Sequence, residues 1–384
     1  MRSRPKSSSP LCRFSAAVFA FCATCAHASL PTSIFAPHST PASEENKLSY
    51  FVLAISALIF LGVSSLLVYA LLRYRARPND DTEPPQVFGS LQIELSWTII
   101  PILIIVVLFL GTARVLFSVQ DAPKPPSALD VVVIGHQFWW EFRYPQYNVV
   151  AANELHLPVS TRSAPRPAYM KLTSADVVHS FWVPQLGGKT DLLPNRVNEM
   201  WTDPQQTGMY VGQCAQFCGP QHAKMLLRVY VDTPEDFQKW ISGQQRMQAE
   251  LGQARASLVS QPDAGSSNPA VPPHAPATHA APAAQSGDAS DAIDARNGQL
   301  VFEQQACINC HTINGTIANG RYGPDLTHLM SRATLAAGAA ENTPGNLQAW
   351  IADPSAFKPG CLMPAMHLSD RQNAQITAYL LTLK

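Results

Sequence analysis

The clearest chemical signal in this chain is a pair of cysteines followed by a histidine near the C-terminus. The residues are Cys307-Ile308-Asn309-Cys310-His311, a C-x-x-C-H motif. This is the spacing of covalent haem attachment, in which two thiols bond the haem vinyl groups and the adjacent histidine can bind iron. A zinc site would need two further cysteines or histidines at ligand spacing, and this segment does not offer them. We therefore predict covalent haem at Cys307 and Cys310, with His311 as an axial ligand.

The haem iron needs a second axial ligand on its other face. A thioether sulfur is the usual choice in electron-carrying cytochromes, because it raises the reduction potential. Met363 and Met366 are both available, close to Cys361. The residues alone leave both methionines open, and we interpret Cys361 as a packed free thiol.

A second group of soft ligands lies in the middle of the chain. Cys214, Cys218, His222 and Met225 bring two thiols, an imidazole and a thioether into twelve residues. Soft ligands select copper rather than magnesium or calcium. A single blue-copper ion needs one cysteine, so two cysteines four residues apart indicate two bridged copper ions. The alternative interpretation is a disulfide beside a surface histidine.

Each copper ion also needs a terminal ligand of its own. His222 supplies one of them. The best candidate for the other is His179, which stands at the head of a predicted strand in Asp176-Val177-Val178-His179-Ser180.

The spacing C-x3-C-x3-H-x2-M, preceded by D-x-x-H-S-F, resembles the binuclear CuA site of cytochrome c oxidase subunit II. The resemblance covers residues 48–232 and implies a cupredoxin sandwich on a two-helix hairpin. It also implies that Met225 and the backbone carbonyl of Gln216 complete the copper coordination. Much of the family has a magnesium-binding glutamate where this chain has Gln216, and an amide brings no charge to such a site.

The C-terminal segment resembles the class I cytochromes c, so the whole chain is similar to the haem-c-fused form of that subunit. These cytochromes carry the axial ligand in a Met-Pro pair, which implies Met363, before Pro364, and leaves Met366 to packing. Gly323-Pro324 resembles the turn beside the proximal histidine. There the Pro324 carbonyl would accept a hydrogen bond from His311, the orienting contact that such ligands need.

Two further expectations rest on the same resemblance. The family's aromatic patch commonly reads G-H-Q-W-Y-W, and its first tryptophan receives electrons from soluble cytochrome c. Here that position is Phe138, so Trp139 and Trp140 become the candidates for the electron path, with packing as the alternative. Glu94 stands at the start of an apolar helix, where an acid is either solvated or functional. In the family a glutamate at this place lies near the entrance of a proton channel of subunit I.

Four segments must position these residues. Two apolar runs, 48–72 and 93–117, are long enough to span a bilayer, and basic residues between them indicate a cytoplasmic loop. Short β-branched and aromatic runs punctuated by Pro, Gly and Asn predict a sandwich or barrel. A helix and a Pro/Ala-rich tether follow, and the last segment has helical spacing that ends in a helix capped by Ser369.

The predicted fold class is multi-domain. Its parts are a signal peptide at 1–28, a two-helix transmembrane hairpin at 48–117, an all-β cupredoxin-like CuA domain at 118–233, a helix and linker at 234–290, and an all-α class I cytochrome c domain at 291–384. The alternative for the first segment is an uncleaved anchor. Basic and acidic residues both number 27 in 384 residues, which gives no reason to expect nucleic acid.

We expect an electron-transfer subunit of a haem–copper oxidase in a bacterial inner membrane, with its copper and haem domains on the periplasmic side. The expected partners are oxidase subunits I and III, a cytochrome c donor and lipid. A CuA-bearing nitric oxide reductase subunit and a copper-delivery protein remain alternatives. A quinol oxidase subunit II would lack both cysteine pairs.

Overall fold

The computed structural model describes residues 33–75, 83, 86, 88–120, 122–259 and 287–384. These residues form two long apolar helices, a β-sandwich and a helical C-terminal domain, which is the predicted fold class. The predicted signal peptide at 1–28 lies outside the described residues, as does most of the predicted Pro/Ala-rich tether.

The two N-terminal helices are α1 (Thr40–Arg73) and α2 (Leu91–Gln120). They contain 34 and 30 residues and are apolar enough to cross a membrane; at ~1.5 Å per residue both exceed a hydrocarbon core of ~30 Å. The Ser39 side chain accepts a hydrogen bond from the Ala42 amide and caps α1. The sandwich buries neither apolar stretch, so each helix presents its aliphatic side chains outward, as a lipid-facing helix does.

Ten strands form the sandwich. They are β1 (Leu129–His136), β2 (Trp139–Tyr144), β3 (Val149–Ala152), β4 (Glu154–Pro158), β5 (Ala168–Ser174), β6 (His179–Trp182), β7 (Thr190–Leu192), β8 (Asn198–Thr202), β9 (Gly208–Cys214) and β10 (Leu226–Asp232). One sheet has the order β3-β2-β1-β5-β8 and the other β4-β10-β9-β6-β7. Strand β6 lies beside β9, which places His179 and Cys214 on neighbouring strands.

Large apolar side chains from both sheets fill the sandwich core. Trp140, Phe142 and Tyr144 alternate along β2 and are each 0% exposed, and burial of one such side chain contributes about 1.5–3 kcal/mol. Trp139 and Glu141 point to the opposite face of β2, yet they are only 7% and 8% exposed. That face is therefore also covered, and the C-terminal domain covers it.

Helix α3 (Pro234–Val259) follows the last strand and packs on the sandwich through Phe237 and Ile241, which are both 0% exposed. Its bounds agree with the helix that the sequence predicts at this place.

The C-terminal domain contains five helices in its described part. They are α4 (Gly287–Gln304), α5 (Cys307–Cys310), α6 (Pro344–Ala352), α7 (Pro354–Phe357) and α8 (Asp370–Leu380). A small antiparallel ribbon of β11 (Thr334–Leu335) and β12 (Ala340–Glu341) lies among them. Helix α8 begins with the predicted cap, since Ser369 and Gln372 form a complete capping box. Gly298 of α4 sits directly against the backbone of Gln375, and any side chain there would push the two helices apart.

Candidate copper and haem centres

The soft ligands of the sandwich converge at one edge of it. The two thiol sulfurs, of Cys214 and Cys218, lie 3.9 Å apart. His179 Nδ1 is 3.8 Å from the Cys214 sulfur, and His222 Nδ1 is 3.9 Å from the Cys218 sulfur. The Met225 sulfur is also 3.9 Å from that of Cys218. The donor atoms of His179, Cys214 and Cys218 all lie within 4.8 Å of one another.

The separation of the two sulfurs does not fit the disulfide interpretation of this motif. A disulfide has its sulfurs ~2.05 Å apart, whereas these are 3.9 Å apart and both cysteines are free. The carbonyl oxygen of Gln216 lies 3.1 Å from the Cys214 sulfur. The structure thus brings all six predicted copper ligands together, and this donor set of sulfur, imidazole and carbonyl suits copper.

The loop that carries these ligands is shaped by one glycine and one short helix. Gly219 adopts a φ of +133°, and a side chain there would meet the ring of Phe138 at 3.0 Å. A single 3-10 turn, His222–Lys224, then turns His222 back toward Cys218 and leads into β10. Glycine is needed at this bend because other residues adopt positive φ only at a cost.

Asp176 orients His179. Its Oδ1 lies 2.8 Å from His179 Nε2, and its other oxygen accepts a hydrogen bond of 2.6 Å from the Gln137 amide. Burial is the largest single influence and disfavours both charged forms, but several contacts together outweigh it. The contact with His179 and the amides of Gln137 and Val177 lower the pKa of Asp176, and the contacts with Asp176 and Cys214 raise that of His179. Because the Nε2 atom of His179 contacts Asp176, its Nδ1 atom is the one that faces the sulfurs.

The two thiols share their negative charge. The contact between the two sulfurs lowers the pKa of Cys214 and raises that of Cys218, because one negative charge on the pair disfavours a second. Two thiolates this close repel each other, so both can be deprotonated together only beside positive charge. The pair is therefore built for cations.

A cavity of about 830 Å³ lies between the C-terminal domain and the sandwich. Its size is within the ~300–1,000 Å³ typical of cofactor sites. Cys307, Cys310 and His311 line it on one side, and Met363 and Met366 also line it. The residues of the predicted haem motif therefore line a cavity whose volume fits a cofactor.

His311 is held in the state that iron binding requires. Its Nδ1 donates a hydrogen bond of 2.8 Å to the Pro324 carbonyl, the contact that the resemblance predicts. Burial lowers the pKa of His311, so the ring is neutral and Nε2 is left as the ligand atom. Gly323 makes room for the ring, because a Cβ there would lie 2.5 Å from His311 Cε1.

The structure does not separate the two methionines, because both reach the cavity wall. Cys361 lies beside them, and its sulfur is 3.5 Å from the Met363 carbonyl oxygen. Met330 instead packs against the apolar core of the C-terminal domain. The choice of Met363 as axial ligand stays a prediction.

Trp139 and Trp140, the predicted candidates for the electron path, lie on opposite faces of β2. Trp139 lines the haem cavity, stacks on His136 with ring centroids 4.1 Å apart, and donates from Nε1 to the Tyr322 carbonyl at 3.2 Å. Trp140 is buried in the core, 6.1 Å from the ring of His179. Phe138 belongs to the turn before β2.

Glu94 belongs to neither centre. It lies in the first turn of α2, and its amide donates to the Ser90 carbonyl at 3.0 Å. Its predicted role concerns the membrane side and stays a prediction.

Three residues of these sites carry no role in the sequence predictions. Asp176 had a usable signal, since it stands three residues before His179. Glu154 and Lys358 had none, because their contacts lie 180 and 220 residues away along the chain.

Family comparisons match three parts of the chain. "Cytochrome C oxidase subunit II, transmembrane domain" matches residues 29–114. The periplasmic domain of the same subunit matches residues 158–231, and "Cytochrome c" matches residues 295–384.

Curated relatives extend over most of the chain. Cytochrome c oxidase subunit 2 of Alkalihalophilus pseudofirmus is 32% identical over 335 residues, which is 86% of this chain and 84% of that protein. The subunit of Bacillus subtilis is 29% identical and covers 90% of both chains. A crystal structure of the periplasmic domain of subunit II from Bradyrhizobium japonicum is 29% identical, with a TM-score of 0.30, and covers 32% of this chain and 96% of that one.

Proposed function

Because this chain belongs to the cytochrome c oxidase subunit II family and carries a cytochrome c domain, we propose that it relays electrons from a cytochrome c to the catalytic subunit. The electrons would pass through a covalent haem c, held by Cys307, Cys310 and His311, and then through a binuclear copper centre. The supporting observation is that one chain places a complete soft ligand set and a haem-sized cavity beside each other. The Gln137–Phe138 turn and Asp176 line the cavity, and Asp176 also contacts His179.

When bound, the two metal groups supply one-electron redox chemistry, and the protein keeps their surroundings fixed. The copper ligands Cys214 and Cys218 are 3% and 4% exposed and follow rigid strands. Such ligands move little when charge changes, which keeps the reorganisation energy of electron transfer low. The copper ligands are His179, Cys214, the Gln216 carbonyl, Cys218, His222 and Met225.

The turn between the two sites offers a short covalent and hydrogen-bonded path. The Gln137 side chain donates to the Cys218 carbonyl at 2.7 Å. Phe138 and Trp139, the next residues, line the haem cavity. We propose that electrons use this turn, with Trp139 on the haem side and Trp140 beside His179 on the copper side.

Oxygen reduction and proton pumping would take place on the partner subunits. Members of this family are subunits of a haem–copper oxidase, so other oxidase subunits are implied; we propose subunits I and III and a cytochrome c donor. Arg73 ends α1 and Arg75 lies just after it; these basic residues support a cytoplasmic loop, which would put the sandwich and cytochrome domain on the periplasmic side. Glu94 then lies at the cytoplasmic end, where the proposed proton-channel role needs it.

Stopped-flow mixing tests the proposed order of the two centres. The purified oxidase that contains this chain is mixed with reduced cytochrome c, and the haem c and copper absorption bands are followed separately. The haem band should change first and the copper band second. His222→Leu should leave the first phase intact and remove the second. Copper reduction that precedes haem reduction would contradict the proposal.

A further inference from the structure

A buried carboxylate of the sandwich binds the cytochrome domain. Glu154, the first residue of β4, is 4% exposed. One of its oxygens accepts hydrogen bonds of 3.0 Å from the Thr334 amide and from the Thr334 hydroxyl. The other accepts a 3.0 Å bond from the Ala333 amide. All three donors belong to the cytochrome domain.

An arginine on the neighbouring strand completes this contact. Arg228 of β10 pairs in register with Glu154, and its Nη1 donates to the Thr334 hydroxyl oxygen at 2.6 Å. The hydroxyl thus accepts from the guanidinium and donates to the carboxylate. We refer to Glu154, Arg228 and Thr334 as the Glu154 latch.

A buried lysine makes a second contact, at the far side of the cavity. Lys358 is 3% exposed, and its Nζ donates to the Phe138 carbonyl of the sandwich and to the Ala336 carbonyl of its own domain, at 3.2 Å each. Next to it, the Gln221 side chain of the copper loop donates to the Pro359 carbonyl. We refer to the Lys358 contacts as the Lys358 bridge.

Thr334 of the latch, Lys358 of the bridge, and Trp139 and Tyr322, which share a hydrogen bond, all line the haem cavity. Glu141 on the outer face of β2 lines this cavity too. A charged group is seldom buried without a partner, because its desolvation costs several kcal/mol. Glu154 accepts hydrogen bonds across the domain boundary, and one of the two carbonyl partners of Lys358 also lies across it, so the two surfaces are matched to each other.

We propose that the cytochrome domain is docked on the sandwich in one fixed arrangement, and that Glu154 is a positioning residue for electron transfer between the two centres. This rests on the proposed function, because it concerns the same two centres. In the alternative arrangement the cytochrome domain is not docked and only the linker holds it. The linker then gives the domain a roughly millimolar effective concentration, and the domain reaches the copper site by diffusion. A fixed dock makes the transfer rate independent of solvent viscosity, whereas diffusion makes it fall as viscosity rises.

Removal of the Glu154 carboxylate leaves the buried amide of Thr334 and the part-buried amide of Ala333 without their acceptors in the docked arrangement. A buried donor without an acceptor keeps the full penalty of its desolvation. We therefore expect Glu154→Ala to weaken docking at least about tenfold, since 1.4 kcal/mol corresponds to a factor of ten. Glu154→Gln keeps one acceptor oxygen and should have a smaller effect.

The experiment uses the complete oxidase with a protease site inserted between residues 260 and 286. After cleavage, gel filtration shows whether the cytochrome domain, followed by a C-terminal epitope, stays with the complex. The unsubstituted protein should retain it and Glu154→Ala should release it. Thr334→Val tests the latch from the other domain. Glu199→Ala is the matched control, since Glu199 is an exposed acid on β8 of the same sandwich.

A second readout separates positioning from mere stability. In the uncut oxidase, the haem-to-copper transfer rate should not change with added glycerol in the unsubstituted protein and in Glu199→Ala. In Glu154→Ala it should be slower and should fall further with viscosity. Release of the domain from the unsubstituted protein on cleavage would overturn the fixed dock. A glycerol-independent, unchanged rate in Glu154→Ala would overturn the positioning role.

The retention assay requires no electron flow, so it remains valid if the proposed function fails. The copper and haem spectra of each variant are recorded first. An unsubstituted protein without a binuclear copper signal would contradict the proposed function and leave the docking result standing. Intact spectra with equal retention in Glu154→Ala and Glu199→Ala would contradict the latch alone.

Discussion

The copper site and the haem cavity differ in how many domains build them. All six proposed copper ligands come from the sandwich, with the thiol and imidazole contacts between 3.8 and 3.9 Å. The haem cavity instead has one wall from the cytochrome domain and another from β2 and the turn before it. The first site depends on the folding of one domain, whereas the second depends also on docking. Substitutions should therefore affect the two sites separately.

We expect Cys218→Ser to show the largest difference between the effect on the copper site and the effect on the haem site. Cys218 lies 3.9 Å from each of Cys214, His222 and Met225, so its sulfur contacts most of the ligand set. We expect complete loss of the binuclear copper spectrum with an unchanged haem content, because no haem ligand lies on this loop. Metal analysis and electron paramagnetic resonance measure both. Two coppers with an unaltered spectrum would contradict a bridging role.

Met363→Leu should produce the complementary effect. Loss of a thioether ligand should remove the sulfur-to-iron absorption band and lower the haem potential by on the order of 100 mV, within the ~0.8 V range that axial ligands span. The copper spectrum should not change. Met366→Leu is the matched control, because Met366 lines the same cavity. The reverse pattern would make Met366 the ligand.

Asp176→Asn should weaken the copper site without removing any ligand. Asp176 orients His179 through a contact of 2.8 Å, and loss of such an orienting partner typically lowers metal affinity 10–100-fold. A chelator competition titration measures this affinity. Asp191→Asn, an exposed acid on β7, should leave it unchanged. Equal affinities in the two variants would show that Asp176 does not orient the ligand.

The smallest expected effect is a pH dependence that is confined to the cytochrome domain. His328 is 3% exposed; burial and the charge of Arg332 lower its pKa to about 4, and the Lys384 backbone offsets this only in part. The unfolded chain, with a histidine pKa of ~6.5, binds the proton first, so stability falls as pH drops from ~6.5 to ~4, by at most on the order of 3 kcal/mol.

Denaturant unfolding at pH 7 and pH 5, followed through the haem absorption, measures this change. His328→Gln should flatten the difference between the two pH values. A pH slope that is the same in both proteins would assign the effect to other groups.

Residues that lie near one another along the chain explain most of what the sequence predicted. The C-x-x-C-H motif, the twelve-residue copper loop, the two apolar runs and the Ser369 cap are all local patterns. The need for a second terminal copper ligand linked His179 to the loop, the resemblance linked Pro324 to His311, and the structure has both contacts.

The contacts between the domains could not be predicted in this way. From the sequence alone, a single glutamate such as Glu154 or a single lysine such as Lys358 is expected to be a solvated surface charge, because most such residues are exposed. Their burial follows from the way two separate domains meet, and neither partner has a recognisable pattern.

The most direct test of the account is the metal content and electron paramagnetic resonance of the purified full-length chain. The account predicts two coppers that share one unpaired electron and one covalently bound low-spin haem per chain. One copper, or none, in a protein with an intact haem would contradict the electron relay and leave a membrane-anchored cytochrome.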